Sequence, residues 1–307
     1  MSSAGGPTTG ASWTQKPERS NLAILRFMVW LSLRLGRRAS RIVLYGIAAY
    51  FLVFAPAARR ASRAYLARAL GRRPKVADGF RHVLSFATTI HDRVYLLNER
   101  FDLFDIEIVG EDLIRAAGVS GQGVLLMGAH HGSFEAMRAL GRQRNDPVIT
   151  VLMYEENARM VNATLAAINP LATQDIIPLG RMDSMLQAQE KLAAGHVVGM
   201  LADRGLGDDP RRTVDFLGAP APFPIGPFRV AAMLRRPVLF MVGLYLGGNR
   251  YRIHFEPLAD FSTVGRDQRD AAIAEAQRRY VEQLERYCRD APYNWFNFYD
   301  FWQDGRQ

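Results

Sequence analysis

The segment Val124-Leu-Leu-Met-Gly-Ala-His-His-Gly-Ser-Phe-Glu135 places a histidine, His130, five residues before an acid, Glu135. An imidazole near neutral pKa can take a proton from a hydroxyl, and a carboxylate on its other ring nitrogen fixes the tautomer and stabilises the imidazolium that forms. His130 and Glu135 are therefore read as a catalytic general-base dyad. Five residues of regular helix would set the two side chains roughly 140° apart, so convergence requires the chain to turn at Gly132 before the helix begins. The same residues admit a plainer reading, with His130 ending a strand and Glu135 favouring the positive end of a helix. His131 stands four before Glu135 and would suit a metal pair. No His-Glu-x-x-His pattern or cysteine cluster completes such a site, so no metal and no other cofactor is expected.

The elements that must hold this segment follow from hydrophobic period and turn residues. Val124 to Met127 reads as a short buried strand, and Ser133 caps a helix beginning at Phe134, so the dyad falls on a strand-to-helix turn. Helical spacing runs through Gly79 to Phe101, followed by a strand at Ile106 to Gly110 and a helix at Glu111 to Ala117. Further strands are expected at Val148 to Met153, Asp175 to Pro178 and His196 to Ala202, with helices at Ala158 to Ile168 and Met182 to Ala194 between them. This alternation predicts an α/β fold with a mixed, largely parallel sheet flanked by helices. Ligands in such sheets bind at the carboxyl ends of the strands, which places His130 and Asp203 on one edge. Phe216 to Gly226, with Pro220, Pro222 and Pro224, reads as a rigid irregular loop carrying Phe223 as an apolar contact.

Charge and hydropathy set the surroundings. The 307 residues carry a formal charge of +9, which calls for an anionic partner. Residues 1–15 have the composition of a disordered tail. From 16 to 75, basic residues flank two apolar segments, Leu22 to Leu35 and Ile42 to Ala55. The second is about fourteen residues, short of the roughly twenty needed to cross a bilayer, so 16–75 is expected to lie on an anionic membrane surface as a monotopic helical hairpin or N-terminal anchor. A buried core helix and a signal peptide ending near Ala55-Pro-Ala57 are the alternatives. A lone cysteine, Cys288, excludes an internal disulfide and is read as an ordinary helix residue.

His130-His-Gly-Ser-Phe-Glu135 resembles the His-x4-Asp/Glu block of the glycerolipid (lysophospholipid) acyltransferase superfamily. Ala202-Asp-Arg-Gly205, Val214 to Ala231, Arg236-Pro-Val-Leu239 and Pro292-Tyr-Asn-Trp-Phe296 are similar in order and spacing to the secondary acyltransferases of lipid A biosynthesis, the lauroyl and myristoyl transferase type. The resemblance runs from about residue 20 to about 302. It implies an acyltransferase domain at 76–307, acyl carrier protein as the partner that brings the acyl donor, and a lipid or glycolipid acceptor. It also implies a location on the cytoplasmic face of the inner membrane. Arg181, Asp203, Arg204, Phe223, Gly226 and Arg229 are the candidate substrate-binding residues, the arginines because their donors grip anions bidentately. Asp203 is given a structural rather than a catalytic part.

Three departures bear on the acceptor. Ile225-Gly-Pro227 stands where glycerol-phosphate acyltransferases carry Glu-Gly-Thr. Leu152-Met-Tyr-Glu155 stands where lipid A enzymes carry Val-Tyr-Arg, and Asp203-Arg204 where Asp-Gln is usual. The N-terminal text, Pro17 to Ser20 and Phe101 to Asp105, is closer to the subset associated with aryl-polyene and other specialised lipids. Two other classes stay open at this point: a catalytically silent lipid-binding or scaffold protein of the same fold, and a nucleic-acid-binding protein. No recognised nucleic-acid module appears, and nucleic acid is not expected as a partner.

Overall fold

The computed structural model describes residues 18–302 except 120, 122, 137–148, 170–175, 182 and 206–208. The expected tail at 1–15 lies outside the described residues. Elements run α1 (Glu18–Phe54), α2 (Pro56–Ala69), α3 (Val76–Leu97), β1 (Asp105–Val109), α4 (Glu111–Val119), β2 (Val124–Gly132), β3 (Ile149–Tyr154), α5 (Glu155–Ile168), β4 (Ile176–Leu179), α6 (Ser184–Ala193), β5 (Val197–Leu201), β6 (Arg211–Phe216), β7 (Ala219–Pro224), α7 (Gly226–Leu234), β8 (Pro237–Tyr245), β9 (Arg250–Asp260) and α8 (Arg269–Asp290).

One sheet of seven strands, ordered β1-β9-β8-β2-β5-β3-β4, forms the centre. Strands β8, β2, β5, β3 and β4 run parallel, whereas β9 turns back antiparallel to β8 and takes β1 parallel beside it. The parallel strands are covered on both faces, which is why Val124 to Met127 and Val197 to Met200 are buried without alternation. Leu125, Met127, Val198 and Phe240 face the larger core with Tyr280 and Leu284 of α8, while Leu126, Leu239 and Ile253 face a smaller one on the other side.

The reading of 216–226 as an irregular loop is corrected by a hairpin. Strands β6 and β7 pair antiparallel from Arg211↔Pro224 to Phe216↔Ala219. Pro220, Pro222 and Pro224 occupy every second position of β7, so the missing N–H groups all belong to its outward side and the ladder to β6 survives. Strand β2 also runs further than its apolar run, through His130 to Gly132.

The N-terminal region is two helical stretches within α1 that meet at Gly36, whose φ of 77° and ψ of 161° are non-helical and which falls between the two apolar segments. After Ala55 the chain turns through 97° into α2. No single described helix is long and apolar enough to cross a membrane, although α1 from Arg26 and α2 meet that measure as a bent pair. Helix α1 is fastened to the sheet domain. Arg37, expected among the lipid-facing cations, is buried and grips buried Asp92 of α3 through two hydrogen bonds, Nε to Oδ1 at 2.8 Å and Nη2 to Oδ2 at 2.7 Å. Tyr251 of β9 donates to the same carboxylate at 2.7 Å, and Arg37 and Arg41 both reach the carbonyl of Gly248. Removing one member would leave a buried charge unpaired, so the bend in α1 is held from the inside.

Candidate active site

Parallel pairing of β2 with β5 decides what stands beside His130. Gly128 is level with Leu201, and the Ala202 N–H donates to the Gly128 carbonyl at 2.9 Å. Two residues further along each chain stand His130 and Asp203. The imidazole Nδ1 lies 2.8 Å from Asp203 Oδ1, and the His130 backbone N–H donates to Oδ2 at 3.1 Å. Asp203 is completely buried, while the His130 side chain is 39 % exposed. Burial alone would raise the Asp203 pKa. The His130 ring beside it, then the charge of Arg204 and the His130 N–H, hold it instead well below the ordinary carboxylate range. A buried anion accepting at Nδ1 fixes the proton there and leaves Nε2 as the basic nitrogen. Nε2 has no hydrogen-bond partner among the described residues.

Glu135 is not brought to His130. Gly132 has a φ of 73°, and a Cβ there would meet the Gly243 carbonyl oxygen of β8 at 1.9 Å, so only glycine fits as the chain turns out of β2. That turn starts the next helix with Ser133 Oγ accepting from the Ala136 N–H, and directs Glu135 to α3, where Arg93 Nε lies 2.9 Å from Oε1. The expected His130–Glu135 dyad is thus replaced in the structure by two pairs, His130–Asp203 and Glu135–Arg93. The part given to Asp203 changes with it, from a structural residue to the carboxylate partner of the histidine. Nothing in the local spacing could reveal this, because the two residues are 73 apart and meet only through the order β2-β5 in the sheet.

The other expected site residues divide. Arg204 is near, its Nε 3.8 Å from Asp203 Oδ2, its Nη2 donating to the Phe296 carbonyl at 2.6 Å and its guanidinium over the Tyr299 ring at 5.3 Å. Arg181 is exposed beyond β4, three strands from β2 and hence roughly 14 Å away along the sheet. Phe223 is completely buried against Phe216, Tyr280 and Phe301, so it is core rather than a substrate contact. Gly226 opens α7 and Arg229 is exposed on it, and no hydrogen bond or ion pair joins either to His130 or Asp203. His131 is buried in the core with neither ring nitrogen hydrogen-bonded, and Glu135 is paired with Arg93.

Sequence reasoning missed a second histidine contact and a cavity. His82 of α3 is buried between Ser62 Oγ at Nδ1 and the Trp295 carbonyl at Nε2, each 2.8 Å away. A cavity of about 730 Å³ opens between α1, α2, α3 and α5. Its wall is apolar, with Leu44, Phe51, Leu66, Val83, Phe86 and Phe298, and Arg59, Arg63 and Lys75 also line it. Arg93 lines it too, so the Glu135–Arg93 pair connects the cavity to the turn that follows His130.

The match to a known family covers almost the whole chain: the model of the bacterial lipid A biosynthesis acyltransferase family matches residues 15–304. The chain belongs to that family. It is therefore an acyltransferase, and the block carrying His130, the Asp203-Arg204 pair and the Trp295 segment all lie inside the matched stretch. No individual curated protein matches it.

Two buried rings make stability depend on pH. Desolvation lowers the pKa of both His82 and His131 from 6.5 to about 4. Between those values the unfolded chain takes up protons that the folded rings refuse. Stability is thus full above about pH 6.5 and falls as the pH drops toward 4, by roughly 2 kcal/mol per ring at pH 5. Thermal melts at pH 7 and pH 5 should show a clear drop in midpoint, and a His131→Leu variant a smaller drop. An unchanged midpoint would count against neutral buried rings.

Proposed function

We propose that this acyltransferase moves an acyl chain from an acyl carrier protein thioester to a hydroxyl of a membrane lipid or glycolipid. The observation that carries this reading is the half-exposed His130, whose Nδ1 is held by a buried carboxylate and whose Nε2 has no partner among the described residues. An apolar cavity is joined through the Arg93–Glu135 pair to the turn that follows His130. Nε2 takes the proton of the acceptor hydroxyl as its oxygen attacks the thioester carbonyl. The tetrahedral oxyanion collapses, the carbon–sulfur bond breaks, and the leaving thiolate takes the proton back from the imidazolium. Asp203 stabilises the imidazolium in between, and Arg204 brings positive charge toward the developing oxyanion. No covalent enzyme intermediate is needed. The cavity lies within the usual size range of ligand pockets and takes the acyl chain, with Arg59, Arg63 and Lys75 suited to the acidic carrier or to anionic headgroups.

The acceptor side favours a hydroxyl lipid without a close phosphate contact at the end of β3. There Tyr154 donates to Asp209 at 2.6 Å and Glu155 is exposed, so carboxylates stand where a phosphorylated sugar would need cations. Lipid A precursor is the acceptor the family suggests, and the specialised-lipid subset is the second reading, favoured by this feature. The site on the membrane is the cytoplasmic face of the inner membrane. Phe27, Trp30, Ile42, Tyr50, Val53 and Phe54 of α1 are exposed apolar residues, and Arg59, Arg60 and Arg63 follow them on α2. Such a surface binds anionic bilayers by insertion and by charge, the first unscreened by salt.

One experiment tests both parts. Purified protein, vesicles containing anionic lipid, and acyl carrier protein loaded with a fatty acyl or polyenoyl chain are combined with lipid A precursor or other hydroxyl lipids in parallel. Transfer to a lipid hydroxyl is expected, with the protein sedimenting with the vesicles and only partly released by high salt. Transfer to lipid A precursor alone would remove the specialised-lipid reading. No transfer from any thioester, or protein wholly in the supernatant at low salt, would overturn the catalytic or the membrane part respectively.

A further inference from the structure

Asp203 has a third partner, and it comes from the far end of the chain. The indole Nε1–H of Trp295 donates to Asp203 Oδ2 at 3.1 Å, on the oxygen that also accepts the His130 backbone N–H. The short segment around Trp295 is tied directly to the strand that carries His130. The Gly132 N–H donates to the Asn294 carbonyl and the Phe296 N–H to the His130 carbonyl, both at 2.8 Å, so Trp295 is bridged to His131 between them. Asn294 is fixed in turn by a pair of side-chain bonds to the backbone of Tyr245, and the Trp295 carbonyl accepts from His82. The ring itself is completely buried against Tyr65, Phe216 and Phe301.

The chemistry of this arrangement lies in what a carboxylate can do when it has few donors. One donor on Oδ2 leaves Asp203 able to swing about its last torsion, and Oδ1 then leaves the imidazole. Two donors arriving from different elements fix the carboxylate plane. We propose that Trp295 is a positioning residue for the transfer reaction, its indole N–H holding Asp203 so that Oδ1 stays on His130 Nδ1 and the basic lone pair stays on Nε2. Folding of the C-terminal segment against β2 thereby completes the site. The proposal rests on His130 acting as the base.

The full-length protein is compared with a Trp295→Phe variant and with a protein in which Trp295 is replaced by benzothienylalanine, which keeps the bicyclic shape and exchanges the N–H for sulfur. Rates are measured per folded molecule with acyl carrier protein loaded with a dodecanoyl chain and lipid A precursor in anionic vesicles. Both replacements are expected to lower kcat about tenfold with KM changed by less than about twofold, the low end of what losing an outer hydrogen-bond partner costs. A purely structural tryptophan would lower the melting temperature of the phenylalanine variant and leave kcat of the benzothienyl protein at the wild-type value. The decisive comparison repeats Trp295→Phe in an Asp203→Asn background. If Trp295 acts through Asp203, the second change adds almost nothing to the first. Full additivity overturns the proposal. Proton NMR supplies a readout that needs no acceptor: the downfield Nδ1–H resonance of His130, assigned by its loss in His130→Ala, should shift or broaden in both Trp295 replacements, and an unmoved resonance also overturns it. Wild-type transfer by His130→Ala would instead bring down the underlying reading of His130 as base.

Discussion

His130→Ala is expected to lower acyl transfer by about 10³-fold in kcat, with little change in KM for the acyl donor. The first figure follows from the scale of general-base catalysis, about 10² to 10⁴. The second follows from geometry, since the cavity assigned to the acyl chain is built by α1, α2, α3 and α5 and His130 is not among its walls. The variant should fold. His130 is partly exposed, and Asp203 keeps the backbone N–H of residue 130, the Trp295 indole and the nearby Arg204 when the imidazole is removed. A His131→Ala control separates the neighbours: that ring is buried in the core, so its loss is expected to cost stability while kcat per folded molecule stays near the wild-type value. Initial rates with a purified acyl carrier protein thioester check both. Turnover by His130→Ala within tenfold of wild type would remove it from the mechanism, and loss of turnover confined to His131→Ala would move the base by one residue.

What the sequence disclosed and what it hid can be traced to particular residues. The core strands were legible because a parallel strand covered on both faces reads as an unbroken apolar run, as Val124 to Met127 and Val197 to Met200 do. The hairpin of β6 and β7 was not, because its three prolines are the usual mark of a loop, and only their spacing of two keeps them compatible with a ladder. The place of His130, just past an apolar run at one edge of the sheet, was legible. The partner of His130 was not, because sequence order gives the strands one by one while the pairing β2-β5, and hence the meeting of 130 with 203, belongs to the sheet. Asp203 did carry a weak signal, being the residue two past the end of a core strand on the same edge. The cations of α1 show the opposite failure. Arg37 counts as one more positive charge in a basic segment, and nothing in that count reveals that it faces Asp92 inside the protein while its neighbours Arg34 and Arg38 are exposed.

Asp203→Asn should be nearly as damaging as loss of the histidine, at about 10²-fold to 10³-fold in kcat, and it should exceed the effect of Glu135→Gln. Asparagine keeps the size of the side chain but removes the negative charge that stabilises the imidazolium. It can also present its NH₂ to Nδ1, which favours the tautomer with the proton on Nε2, where the acceptor hydroxyl must be deprotonated. Glu135 is bound to Arg93, which lines the cavity, so neutralising it leaves an unpaired guanidinium beside an apolar wall. That change is expected to appear chiefly in KM for the acyl donor. Kinetics of the two variants with acyl chains of different length, together with the His130 Nδ1–H resonance, separate the roles. The resonance should be lost or displaced in Asp203→Asn and kept in Glu135→Gln. If Glu135→Gln abolished kcat and displaced the resonance while Asp203→Asn left both as they were, the carboxylate partner of His130 during turnover would be Glu135. The Asp203 pairing would then describe only the resting protein.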